Sequence, residues 1–136
     1  MRVTVLKLLM SAGMGLAALA LSAPTLPPAV AGSGGLWEVS RSATGARSSR
    51  VCVPSAAAFG QWEHRRVRCT RQVLSASASD AIITYNCPGG DFGRSHVRVI
   101  TSRSLRIETQ GISRGFPFNY VLHARRVGDC PVAARH

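Results

Sequence analysis

The stretch CTRQVLSASASDAIITYNC, Cys69 to Cys87, decides the reading of this chain. Folded about Ala78, it sets Cys69 opposite Cys87, Arg71 opposite Tyr85 and Val73 opposite Ile83. Side chains alternate along a strand with period 2, so these six residues share one face of a ladder. The register predicts a β-hairpin closed by a Cys69–Cys87 disulfide, since directly opposed Cβ atoms lie ~4.5–5.5 Å apart. A slip of one residue would separate the sulfurs and turn Val73 and Ile83 to opposite faces.

Strand patterns lie on either side of this hairpin. Before it, Leu36 to Ser40 alternates, with Trp37 and Val39 on one face, and Arg50 to Val53 is a short strand stopped by Pro54. Gly32 to Gly35 reads as a flexible leader and Ser42 to Ser49 as turn material. Pro54 to Glu63 is the helical candidate, with Pro54 at the first helical position and Phe59 and Trp62 on one face. After the hairpin, Pro88-Gly89-Gly90-Asp91 signals a turn. A second hairpin folded about Ser102 opposes Val99 with Leu105 and Val97 with Ile107. Gly111 to Gly115 reads as a further turn. The longest strand begins at Phe116, with Phe116, Phe118, Tyr120, Leu122 and Ala124 on one face and Pro117 near its start or on an edge. The expected fold is all-β: a small antiparallel meander of about seven strands, either barrel-like or a strongly curved open sheet, with one short helix.

The N-terminus carries the pattern of an export signal. Arg2 and Lys7 precede an apolar run from Leu8 to Leu21, too short for a membrane span of ~20 residues. Ala29-Val30-Ala31 then offers an A-x-A cleavage site, whereas the earlier Leu21-Ser22-Ala23 would place Pro24 directly after the cut. Residues 1–31 are therefore expected to be a cleaved signal peptide and residues 32–136 one domain, soluble, monomeric and periplasmic. All four cysteines fall in that domain. An even count in an exported chain implies two disulfides. The hairpin favours Cys69–Cys87 and so Cys52–Cys130; Cys52–Cys69 with Cys87–Cys130 is the competing arrangement. The cysteine spacings fit no zinc-ligand pattern, and no cofactor is implied.

Beyond residue 31 the chain carries fifteen arginines and no lysine against six acidic residues. Such a surface attracts polyanions, for which anionic lipid or another envelope polyanion is the expected class of partner. Arg65, Arg66, Arg68 and Arg71 form the densest cluster and the candidate anion-binding face, because guanidinium groups grip phosphate bidentately. Nucleic acid is not expected, since only Trp62 lies near enough to provide stacking. Phe116, Phe118, Tyr120 and Leu122 could line an apolar cavity, with core packing as their default role. No carboxylate pair, histidine cluster or phosphate-cradling loop converges on a reaction, so the expectation is a protein without enzymatic activity. Glu38 beside Arg125 and Arg126 is expected to form a structural ion pair.

Several of these residues also carry a resemblance. Gly35-Leu36-Trp37-Glu38-Val39, Cys52-Val53-Pro54 before a short helix ending at Trp62, Cys69, Cys87 and the closing Arg125-Arg126-Val127-Gly128-Asp129-Cys130 occur in that order. Together they resemble the exported bacterial domain-of-unknown-function family 3617, over about residues 35–130. The chain departs from that pattern at Pro54-Ser55, where members carry Pro-Glu, and at Ser102-Arg103-Ser104, where members carry a Gly-rich hairpin. The resemblance implies an exported protein and no particular activity.

Overall fold

The computed structural model describes Gly15 and residues 17–132. The positively charged start and most of the apolar run of the expected export signal, and the last four residues including His136, lie outside them. Seven strands form one antiparallel sheet: β1 (Gly35–Ser40), β2 (Ser49–Val53), β3 (Thr70–Ala76), β4 (Asp80–Asn86), β5 (Phe92–Thr101), β6 (Ser104–Ser113) and β7 (Phe116–Gly128). Their order is β2-β1-β7-β6-β5-β4-β3. The last five strands are the expected meander, and β1 adds to β7 with β2 outside it. The sheet is open, because its edge strands β2 and β3 do not pair.

The space a barrel would enclose is filled instead. A 3-10 helix, η1 (Ala56–His64), connects β2 to β3 and packs on β4, β5 and β6. Phe59 is fully buried on it, its ring edge-on to that of Trp37 with centroids 5.3 Å apart. Val39, Ile83, Val97, Leu105, Ile107, Leu122 and Ala124 extend the core across five strands. The segment expected to be helical thus winds more tightly than an α-helix. Pro54 lies outside it, Ser55 caps it by accepting a hydrogen bond from the Ala57 amide, and Gln61 breaks the winding at φ −128°. Gly60 explains the close seating: a Cβ there would lie 2.6 Å from Ile83 Cδ1.

The hairpin register holds where it matters. Arg71 pairs with Tyr85 and Val73 with Ile83, and Cys69 is joined to Cys87 across a Cα separation of 4.2 Å. Leu74 is a bulge between Val73 and Ser75, so the partner of Ser75 is Ile82. The second disulfide is Cys52–Cys130, Cα atoms 5.6 Å apart, tying β2 to the end of β7. Val97 faces Ile107 and Val99 faces Leu105, as the pattern predicts.

One turn and one leader are corrected. Gly111 lies inside β6, flanked by Gly93 on β5 and Phe118 on β7, and the turn is only Arg114-Gly115, both at positive φ. Glycine at 93 leaves room for the Tyr85 ring, which a Cβ would strike. Gly32 to Gly35 is likewise no loose leader. Gly35 pairs with Val53 in β1, the Trp37 indole donates to the Ser33 carbonyl at 3.1 Å, and Arg126 Nε donates to that of Gly34 at 2.9 Å.

Candidate functional site

Every carboxylate of the chain is already engaged by the fold. Glu38 meets Arg50 and Arg125, Asp80 meets His96 and Arg98, Glu108 meets Arg106, and Asp129 meets Arg126. Asp91 accepts from the Arg114 amide and contacts His64, and Glu63 accepts the Tyr120 hydroxyl at 2.7 Å. The positive surplus is therefore carried by arginines that have no acidic partner among the described residues.

Three of these converge. The β1–β2 loop, the end of η1 and the middle of β7 enclose an open hollow of about 820 Å³. Arg41, Arg47 and Arg65 line it, with Trp62, Tyr120, Val39 and Leu122 as its apolar wall and Glu63 as its one acid. Two of the guanidinium groups lie over rings: Arg41 is 4.0 Å from the Tyr120 centroid and Arg65 is 4.3 Å from that of Trp62. Stacking of this kind orients a guanidinium while leaving its in-plane donors free for an anion. Arg47 sits at φ 54°, and its loop is braced by the Ser40 hydroxyl donating to the Ala46 carbonyl at 2.6 Å. Burial and the hydrogen bond to Glu63 push the Tyr120 phenol well above its ordinary range, so the ring stays neutral beneath Arg41.

The cluster named from sequence is dispersed by the fold. Arg65 lines this hollow and also, together with Arg66, a smaller one beside Asp91 and Arg114, whereas Arg66 does not line the larger one. Arg68 is exposed, and Arg71 donates to the Ala57 carbonyl at 3.4 Å. The reason is local: after His64 the chain turns twice before β3, and consecutive residues in a turn point in different directions. Arg41 and Arg47 were hidden by their setting, a Ser/Gly/Ala-rich loop with no charge run. The signal was there in two arginines bracketing a turn beside an aromatic strand, but pairing them with Trp62 and Tyr120 requires the sheet order.

The four apolar residues of β7 do not share a cavity. Tyr120 and the buried Leu122 border the hollow, Phe118 packs on His64 at 5.9 Å between centroids, and Phe116 is 75% exposed. His96 and His123 stand on rows of the sheet that are not in line: His96 pairs with Glu108 and His123 with Arg106. Among the described residues, no group of three or more metal-ligating side chains gathers.

One arrangement looks catalytic on paper. His64 sits between Tyr85, 3.1 Å from Nδ1, and Asp91, 3.2 Å from Nε2. Yet His64 is only 6% exposed, and burial pushes the Tyr85 phenol up to about 12. A hydroxyl held that firmly protonated is a poor nucleophile or base near neutral pH. The trio latches η1 to β4 and to the β4–β5 turn.

No protein-family model, curated protein or solved structure matches the chain. Two disulfides belong with folding in an oxidising, exported environment. No helix among the described residues is long and apolar enough to cross a membrane.

Proposed function

We propose that this chain is an exported, periplasmic binding domain without catalytic activity, which holds an anionic, amphipathic envelope component in the Arg41–Arg47–Arg65 hollow. The observation that carries this reading is the convergence of three arginines, two of them stacked on rings, around a hollow whose one acid, Glu63, is already engaged by the Tyr120 hydroxyl. The guanidinium groups suit a phosphate or carboxylate head, and Trp62, Tyr120, Val39 and Leu122 suit an adjoining apolar portion. The volume lies within the ~300–1,000 Å³ usual for small-ligand sites. The sequence resemblance to exported proteins of the family named above agrees with the compartment. Co-sedimentation with phosphatidylglycerol vesicles, beside vesicles of phosphatidylcholine alone, tests it. Retention on the anionic vesicles should fall with salt and with Arg65→Gln. Equal retention on both, or none on either, removes the proposal.

A further inference from the structure

The A-x-A site at Ala29-Val30-Ala31 would, if cut, remove part of the core. Pro28–Ala31 forms one helical turn, α1, resting on η1. Val30 on it is completely buried in the cluster that contains Trp37, Ala56 and Phe59, and Leu26 packs against the same cluster. The hydroxyl of Ser55, the cap of η1, reaches the carbonyls of Val30 at 3.0 Å and Ala31 at 2.8 Å. Downstream the attachment continues, since Trp37 holds Ser33 and Arg126 holds Gly34. A chain beginning at Gly32 would leave the Ser55 hydroxyl without these acceptors and open the side of the core where Val30 lies. Export signals are cut before the chain folds, so burial does not shield this bond. What it shows is that the folded domain uses the residues on both sides of it.

Upstream the picture changes abruptly. The described residues before Leu26 are exposed, Leu19 at 91% and Leu21 at 97%. Ala18-Leu19-Ala20 offers the same small-x-small pattern, and it closes the apolar run directly. Ten residues with three prolines would otherwise separate that run from the cut. Leu21 after the cut also avoids Pro24 in that position.

We infer that the export signal is removed by hydrolysis of the Ala20–Leu21 peptide bond, and that Leu26 to Ser33 is a permanent strap of the mature fold. Water supplies the new carboxylate of Ala20 and the new amine of Leu21, under a signal peptidase of the exporting cell. The inference rests on the exported reading, and its test separates the two. The full-length chain is expressed in a bacterial host, and protein from the periplasmic fraction is characterised by intact mass and N-terminal sequencing. A start at Leu21 is expected. A start at Pro24 or Gly32 overturns this bond assignment while keeping export, an intact Met1 in that fraction overturns cleavage, and absence of the protein from that fraction overturns export itself. Val30→Asp in the same full-length chain provides a second readout. If residue 30 is retained, the exported protein carries the mass of the substitution and melts at a clearly lower temperature, or fails to accumulate. If it is cut away, the exported variant is identical to the parent in mass and melting temperature, and the strap is refuted.

Discussion

Glu38 and Arg125 face each other across β1 and β7, with Oε2 of the carboxylate 2.9 Å from the guanidinium nitrogen Nη2. Arg50 on β2 approaches the other oxygen at 3.2 Å, so one acid spans three strands at the edge where the Cys52–Cys130 bridge closes. Arg125 first, then Arg50, holds the Glu38 carboxyl below its ordinary value of 4.5. A depressed folded-state pKa stabilises the fold above the unfolded value, and that contribution fades as the pH falls through the folded one. The pair is open to solvent, so its effect is small. Glu38→Gln should lower the urea midpoint slightly at pH 7 and leave it unchanged at about pH 2, where both forms are neutral. A difference that persists in acid would assign the loss to packing.

Tyrosine ionisation reports on the η1 latch. Tyr85, pushed up to about 12, and Tyr120, raised further by burial and by Glu63, are the only tyrosines of the chain. Raised values stabilise the fold below the unfolded pKa of about 10, and this is lost as the pH climbs through the folded values. Absorbance at the tyrosinate band should stay flat to about pH 11 and then rise together with loss of tertiary structure. A smooth native titration near pH 10 would mean that the rings are accessible.

Gly93→Ala should be costly although it adds one methyl group. The new Cβ meets the Tyr85 ring, which is buried against His64. Overpacking of this kind costs about 1–3 kcal/mol, measurable in denaturant unfolding. Gly45→Ala tests a different cause, since open space surrounds that position and any loss there comes from its positive φ.

The two bridges should differ in worth. Chain-entropy arguments give about 3 kcal/mol for the Cys69–Cys87 loop and about 4.5 for Cys52–Cys130, which closes a span of 78 residues. Paired Cys→Ser variants, followed by thermal unfolding, should therefore rank Cys52/Cys130 as the more damaging loss. Peptide mapping without reduction should recover Cys69 joined to Cys87.

Charge removal in the hollow should be local in its effect. Each arginine near an anionic surface contributes about 1 kcal/mol, so Arg41→Gln, Arg47→Gln and Arg65→Gln should each weaken vesicle binding roughly fivefold. Arg68→Gln, outside the hollow, should change it less. Uniform losses across all four would point to a diffuse electrostatic attraction.

Much of the fold was legible in the chain because β-structure is written at short range. The Arg71–Tyr85, Val73–Ile83, Val97–Ile107 and Val99–Leu105 pairings follow from period-2 alternation about a turn, and the first of those hairpins carries its disulfide with it. Glu38 could be matched with Arg125 because segments 35–39 and 125–130, which carry them, read as the first and last strands of the expected domain. What alternation does not encode is which strand adds to which edge, or how a connecting segment crosses the sheet. Those depend on burying Phe59, Trp37 and Val30 together, an exchange of apolar surface for water made by residues distant in sequence. Only that packing opens the sheet instead of closing a barrel and draws the residues around Val30 into the domain. The same packing gathers Arg41, Arg47 and Arg65 around two aromatic rings while leaving Arg66, Arg68 and Arg71 of the sequence cluster outside that hollow.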